Sequence, residues 1–178
     1  QGATNSNRTS YTIEDTPFTI GALSKTGYTF DGWTGSNGET PQTTVTVAGG
    51  TTGNLAYTAN WTANVNTLTI GVDEGSIYYY TGEYMGTVTA TVSDVPIIED
   101  AADISSEDSQ GSVAFGTLVE LTATSVRGFY FTGWNIVSGG ITLAQTPNAS
   151  FYMPDDDVIV TASFDIVTYT IVFDKNAE

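Results

Sequence analysis

Apolar and polar residues alternate with a period of two along most of the chain. The alternation is clear in TTVTV (43–47), in NTLTIGV (66–72) and in VIVTASF (158–164). Successive side chains of a β-strand point to opposite faces, so this period is typical of strands with one buried face. Patterns with a helical period are scarce. The sequence therefore predicts a mainly β fold, α+β at most.

One segment of the chain occurs twice. GYTFDGW (27–33) returns as GFYFTGW (128–134), which keeps the order Gly, aromatic, any residue, Phe, any residue, Gly, Trp. An alternating strand precedes each copy, and a polar loop and a last strand follow, ending at Trp61 and at Phe164. A pattern that recurs over this length indicates a repeated domain.

The repeated segment is predicted to be a core strand. In a regular strand Tyr28, Phe30 and Gly32 share one face, and Asp31 and Trp33 point the other way. The Phe of each copy is expected to be largely buried at an equivalent position, because an aromatic ring removes about 150–250 Å² from water. The predicted core residues are Tyr28, Phe30, Trp33, Trp61, Phe129, Phe131, Trp134 and Phe164.

Charge is distributed unevenly along the chain. Of the formal net charge of −16, residues 1–62 carry −2, residues 63–165 carry −13 and residues 166–178 carry −1. Segments that differ this much in charge are expected to be separate domains. The predicted organisation is one domain over 1–62, a second over 63–165 with an acidic insert, and a terminal segment over 166–178. We interpret the chain as part of a longer protein.

Two further segments of the second domain precede its copy of the repeated motif. Residues 66–92 read as two strands around a Gly-rich turn. Residues 94–111, DVPIIEDAADISSEDSQG, are predicted to form a short helix or a long acidic loop.

The repeated motif resembles a known family. GYTFDGW followed by NLAYTANW (54–61) resembles the Listeria–Bacteroides repeat, also called the internalin B-repeat. GTLVELTATSVRGFYFTGW (116–134) followed by FYMPDDDVIVTASF (151–164) resembles the divergent bacterial version of that repeat. The resemblance implies two compact β-grasp-like units, strung in tandem along bacterial surface proteins as stalks and attachment surfaces. It supplies no catalytic residues.

The terminal segment resembles the opening strand of a further unit, and domain 1–62 is expected to lack its own first strand. Tyr169, Ile171 and Phe173 alternate on one face of the predicted strand. Unpaired strand edges are templates for another strand. We expect residues 168–174 to pair head to tail with the first unit of another copy, the alternative being a frayed tail.

Several functional classes are disfavoured by composition. The chain has no His and no Cys, which excludes disulfides, zinc–thiolate sites and nucleophilic triads that need either residue. The net charge of −16 repels nucleic acid and anionic lipid, and no membrane insertion is expected. We therefore expect no enzyme activity and no cofactor.

Two acidic clusters are candidate calcium sites. They are Asp94 to Asp108, and Asp155, Asp156 and Asp157. The alternating Asp/Asn loop with a turn Gly that calcium favours is absent from both. Solvated surface charge is the preferred interpretation, and calcium is expected to leave the melting temperature nearly unchanged.

Four tyrosines are the candidate contact residues: Tyr78, Tyr79, Tyr80 and Tyr84. Neighbours in a strand alternate faces, so at least one of three consecutive tyrosines should be exposed. An exposed Tyr can stack on a sugar or anchor a protein partner, and a Tyr-rich hairpin with no ligand is the other interpretation.

The expected function is that of a structural and adhesive repeat segment on the bacterial cell surface or cell wall, whose partner is a host or cell-surface protein or glycan. The alternative is a carbohydrate-binding accessory module of a secreted enzyme.

Overall fold

The structure, a computed structural model, describes residues 2–173. In chain order the strands are β1 (Phe18–Ile20), β2 (Tyr28–Gly35), β3 (Gly38–Gln42), β4 (Val45–Val47), β5 (Tyr57–Ala63), β6 (Val65–Val72), β7 (Ile77–Tyr78), β8 (Glu83–Tyr84), β9 (Gly86–Val92), β10 (Val95–Ala101), β11 (Gln110–Ala114), β12 (Leu118–Ser125), β13 (Phe129–Ser138), β14 (Asn148–Tyr152) and β15 (Val158–Ile166). Two 3₁₀ helices, Glu74–Ser76 and Glu107–Ser109, complete the regular structure of this part of the chain. The predicted mainly β fold is confirmed.

The chain divides into two compact units. Unit 1 runs to Val65 and includes Ala114–Gly116, and unit 2 comprises Asn66–Val113 and the described residues from Thr117 onwards. The domain boundary predicted from the sequence, after residue 62, lies three residues before the boundary in the structure.

Unit 1 contains two small antiparallel sheets. One has the strand order β3-β2-β5, and the other pairs β1 with β4. Their apolar faces share a core in which Ile20, Trp33, Val45 and Val47 are buried. The β5 strand, which ends the unit, lies at an edge of its sheet.

Unit 2 contains two four-stranded sheets, with the orders β11-β6-β15-β13 and β10-β9-β12-β14. Alternate residues of both sheets contribute to one core cluster, including Leu68 and Ile70 of β6 and Val119 and Leu121 of β12. The first strand of the unit, β6, pairs in parallel with its last strand, β15. No α-helix forms within residues 2–173, so the helix of a β-grasp unit has no counterpart there.

A β-bulge interrupts the repeated segment at the same place in both units. In β2 the pairing with β5 shifts register between Phe30 and Gly32. In β13 the pairing with β15 shifts between Phe131 and Gly133. The extra residue of a bulge reverses the alternation of all side chains that follow it.

The bulge corrects the predicted orientation of the tryptophans. Trp33 was expected to face away from Phe30, but their ring centroids lie 5.4 Å apart. Phe131 and Trp134 are likewise 5.2 Å apart. The Phe and the Trp of each segment therefore pack together on the core face.

The predicted core residues differ in burial. Trp33, Trp134 and Phe164 are buried. The other five are half-buried: Tyr28, Phe30, Trp61, Phe129 and Phe131. Phe30 and Phe131 pack against the cores of their units, and the indole that the bulge turns onto the same face is the more buried ring in each.

The acidic segment 94–111 was predicted as a helix or a loop, and most of its first half is strand β10. Ser93 and Asp94 have φ values of 51° and 62°, and Val92 pairs with Val95 across them. Two consecutive residues with positive φ form the type I′ turn of a tight hairpin.

Residues 66–92 were expected to contain two strands and contain four, because β7 and β8 form a small hairpin between β6 and β9.

The terminal segment forms no strand over residues 167–173. Tyr169 and Ile171 are each 79% exposed and Phe173 is 82% exposed. The predicted strand also included Asp174, which lies outside the described residues. Within the described chain these residues have no neighbouring strand to pair with, and a single extended segment has no hydrogen-bonding partner of its own.

Candidate functional site

The tyrosine-rich segment of unit 2 forms a short hairpin, which we call the tyrosine hairpin (residues 77–84). Ile77 pairs with Tyr84 and Tyr78 with Glu83. The turn between them closes where the Gly82 N–H donates to the Tyr78 carbonyl at 2.8 Å. Gly82 has a φ of 70°, a conformation that glycine adopts without the strain of a Cβ.

The rings of the hairpin form a chain of edge contacts. Tyr78 packs against Phe129 of β13 with centroids 5.3 Å apart, and against Tyr80 at 5.5 Å. Tyr79 meets Tyr80 edge-on, also at 5.5 Å. Tyr78 thus fixes the cluster to the domain and leaves Tyr79 91% exposed and Tyr80 82% exposed.

The exposure of two consecutive tyrosines differs from the alternation expected of a strand. Strand β7 ends at Tyr78, so Tyr79 and Tyr80 lie in the turn. A turn residue is not bound to alternate faces, and both rings can face solvent. The sequence signal for this was the Thr81-Gly82 pair directly after the tyrosines.

A buried hydroxyl ties the base of the hairpin to β15. The Ser76 Oγ donates to the Phe164 carbonyl at 3.1 Å and accepts from the Phe164 N–H at 2.7 Å. Ser76 closes the 3₁₀ helix that begins after Asp73, whose carboxylate accepts from the Gly75 N–H at 2.9 Å. Sequence reasoning missed Ser76, since nothing in the sequence distinguishes this serine from the others.

The electrostatic surroundings of the hairpin are acidic. Burial raises the pKa of the Tyr84 phenol, and the carboxylates of Asp103 and Glu74 raise it further. The phenol therefore stays neutral at physiological pH. A surface of aromatic rings beside carboxylates suits a neutral or cationic partner and repels an anionic one.

The four predicted contact residues thus fall into two pairs. Tyr79 and Tyr80 offer ring faces and hydroxyls to solvent, whereas Tyr78 and Tyr84 are half-buried in the hairpin base. The arrangement can stack on a sugar ring or enter an apolar pocket of a protein.

In each candidate calcium cluster a carboxylate accepts a hydrogen bond from a backbone N–H. The Asp157 carboxylate accepts from the Thr67 N–H at 2.6 Å. The Asp103 carboxylate accepts from the Ser105 N–H and hydroxyl at 2.8 and 2.7 Å, and these bonds lower the pKa of Asp103. Within residues 2–173 no three His, Cys, Asp or Glu side chains form a group that could hold a metal ion. The insensitivity to calcium stays a prediction.

No helix in the described part of the chain is long and apolar enough to cross a bilayer.

Comparison with known proteins identifies the repeated architecture. The sequence model of the divergent InlB B-repeat domain matches residues 1–65 and 100–168. Both bulged segments lie inside the matched ranges, and the tyrosine hairpin lies outside them. Neither a curated protein nor a solved structure shows significant similarity to the chain. Since the two matched ranges cover well over half of the residues, the chain belongs to the divergent InlB B-repeat family.

Proposed function

We propose that the chain is a structural and adhesive repeat segment of a bacterial cell-surface protein. The observation that carries this proposal is the repetition of one core, a Phe and a Trp brought together by a bulge, in two successive units. Repeats of this family occur in bacterial surface proteins, which supports a location on the cell surface or cell wall. In this role the units act as a stalk that holds an attachment surface away from the cell.

We propose the tyrosine hairpin as the attachment surface. It lies outside the ranges matched to the repeat family, so it is a feature of this chain beyond the shared core. Its two outer rings are exposed on a turn held in place by Tyr78 and Ser76. Tyrosine contributes large contact area at small cost in side-chain entropy, which is why it is enriched among residues that dominate binding energy.

We further propose that the segment acts without catalysis. The chain contains no His and no Cys, and its aromatic hairpin supplies stacking and hydrogen bonding rather than a nucleophile with a base.

The exposed rings also favour a second candidate, a carbohydrate-binding module. Two tyrosine rings with centroids 5.5 Å apart can each present a face to a sugar ring. Stacking of a sugar on an aromatic ring requires no charged side chain. The two candidates differ in the chemistry of the ligand, protein or glycan.

Arrays of surface proteins and of glycans, probed with the intact chain, separate the candidates. We expect binding to a protein target that is lost in a Tyr79→Ala/Tyr80→Ala variant. Tyr152→Ala is the matched control, because Tyr152 is an exposed tyrosine on β14, in another sheet of unit 2. Binding to glycans with the same loss would replace the proposal by the second candidate. Binding that survives the double substitution would show that the hairpin is not the attachment surface.

A further inference from the structure

The outer rings of the tyrosine hairpin form a corner that is open to solvent. The rings of Tyr79 and Tyr80 stand at 80° to each other with centroids 5.5 Å apart. The ring of Tyr78 stands at 56° to that of Tyr80, also at 5.5 Å. Tyr79 and Tyr80 are both exposed, so solvent reaches their ring faces. The face of an aromatic ring is the negative part of its quadrupole, and it attracts a cation.

Two carboxylates flank these rings. Glu83 lies opposite Tyr78 in the β7–β8 pair, and side chains at such opposite positions share one face of the sheet with Cβ atoms about 4.5–5.5 Å apart. Glu74 begins the 3₁₀ helix that leads into β7. Both side chains are exposed, and neither carboxylate forms an ion pair within residues 2–173. Each can therefore pair with a cation that a ligand supplies.

The charge around the hairpin is nearly all negative. After burial, the carboxylates of Asp103 and Glu74 are the causes that raise the pKa of the Tyr84 phenol, so both carboxylates lie near the hairpin base. Among the described residues of unit 2, Arg127 is the only Lys or Arg. An excess of negative charge raises the local concentration of cationic groups and lowers that of anionic groups.

A cationic ligand uses both the rings and the carboxylates of the hairpin, whereas a neutral sugar uses the rings alone. An ammonium or guanidinium group over a tyrosine face is attracted by the ring and by a nearby carboxylate at the same time. A guanidinium is also planar, so it can lie on a ring while its N–H groups donate to a carboxylate at the edge. The combination of features favours a basic side chain, and arginine most of all.

We propose that the tyrosine hairpin binds a segment of a partner protein that carries arginine or lysine. The cationic side chain lies on the rings of Tyr79 and Tyr80 and pairs with the carboxylate of Glu83, while Glu74 strengthens the negative potential. This inference rests on the proposed role of the hairpin as the attachment surface, and it adds the chemical class of the partner.

Two peptides of nearly equal shape test whether the charge is required. One is acetyl-Gly-Arg-Gly-Arg-Gly-amide, and the other carries citrulline, the uncharged analogue of arginine, at both arginine positions. In NMR titrations of the intact chain, we expect the arginine peptide to shift the ring signals of Tyr79 and Tyr80 saturably. The citrulline peptide should bind about threefold more weakly or less tightly still, because it lacks the cation–π attraction and the ion pair. Equal affinities, or no saturable shift with the arginine peptide, would overturn the inference.

Substitution of the flanking carboxylate tests the position of the cation. Glu83→Gln keeps the shape of the side chain and removes its charge, and it should weaken the arginine peptide about twofold or more. Glu120→Gln is the matched control, since Glu120 is an exposed carboxylate opposite Thr91. Thr91 lies five residues along β9 from Gly86, about 16 Å from the hairpin end of that strand. Charges separated by more than the Debye length of about 8 Å are largely screened, so the control should bind like the wild type. Equal weakening in both variants would show general charge attraction and overturn the inference.

The tyrosine double substitution separates this inference from the proposed function. Tyr79→Ala/Tyr80→Ala should abolish the saturable binding of the arginine peptide, and binding that survives it would place the cation away from the rings and overturn the inference. For a protein partner found on the arrays, we expect weaker binding to Glu83→Gln and at high salt. A partner that needs both tyrosines but binds Glu83→Gln like the wild type at every salt concentration would leave the hairpin as the attachment surface and overturn only the cationic class of the partner.

Discussion

Phe30 and Trp33 pack edge to face with ring centroids 5.4 Å apart, although three positions separate them along a strand. The bulge between Phe30 and Gly32 makes the contact possible, because its extra residue turns Trp33 back onto the face of Phe30. The indole N–H of Trp33 then donates to the Gly21 carbonyl at 3.0 Å. In unit 2 the equivalent Trp134 donates to the Thr146 carbonyl at 2.7 Å, so the two units keep the ring contact and change the acceptor.

Replacing the Phe of either segment should destabilise its unit. Truncation of a buried Phe costs about 3–5 kcal/mol, and since Phe30 and Phe131 are half-buried we expect about 3 kcal/mol for each Ala variant. Urea denaturation monitored by tryptophan fluorescence measures the change in the free energy of unfolding. Tyr130→Ala, at an exposed neighbour on β13, should cost less than about 1 kcal/mol. A Phe variant with wild-type stability would show that its ring does not hold the core.

The second glycine of the segment should matter more in unit 1 than in unit 2. Gly32 has a φ of 135°, and a Cβ there would lie 2.5 Å from the Gln42 backbone nitrogen. At Gly133 a Cβ would meet only the end of the Gln145 side chain, at 2.8 Å. We expect Gly32→Ala to cost at least about 1–2 kcal/mol more than Gly133→Ala, because backbone strain and a backbone clash cannot be relieved by a rotamer change. Thermal melts of the two variants compare the losses of stability, and a larger loss in Gly133→Ala than in Gly32→Ala would refute the prediction.

Ser76→Ala should loosen the tyrosine hairpin. The substitution leaves the buried Phe164 N–H without its 2.7 Å acceptor, and an unsatisfied buried donor costs about 1–3 kcal/mol. Hydrogen exchange should show faster exchange of the Met85 amide, which bonds to the Ser76 carbonyl at 2.9 Å. Ser112→Ala, at an exposed serine of β11, should change neither the stability nor the exchange rate of the Met85 amide. Unchanged exchange in Ser76→Ala would mean that the hydroxyl does not anchor the hairpin.

The segment before β1 should depend on pH through Asp15. The Thr12 N–H donates to its carboxylate at 2.6 Å, and this bond, with the nearby Arg8 guanidinium, lowers the pKa of Asp15. A carboxyl whose pKa is lower in the folded state stabilises the fold at pH values above its unfolded pKa, about 3.9, and this contribution is lost as pH falls through the folded pKa. The Thr12 amide shift, followed by NMR, should therefore titrate below pH ~3.9. Asp15→Asn should abolish that titration and Glu14→Gln should preserve it, and a Thr12 amide that does not titrate would contradict the assignment.

The sequence alone was enough to predict the mainly β fold and the repetition. Alternating residues such as those of Val158–Phe164 can bury one face only as a strand, because the side-chain period of a strand is two. The recurrence of the Gly-aromatic-x-Phe-x-Gly-Trp order likewise indicated two equivalent units, and the family match covers both copies.

Tertiary structure decided the features that depend on partners distant in sequence. Whether Trp33 faces Phe30 depends on a bulge in the β2–β5 pairing, and the alternation of β2 alone predicts the opposite. The acidic composition of residues 94–111 led to the prediction of a helix or a loop there. The Ser93-Asp94 turn is defined by the pairing of β9 with β10. The anchoring role of Ser76 depends on Phe164, 88 residues away, since a lone hydroxyl carries no pattern in sequence. Residues 66–72 belong to strand β6, yet residues 167–173, which alternate in a similar way, form no strand, because a strand needs the edge of another to satisfy its backbone.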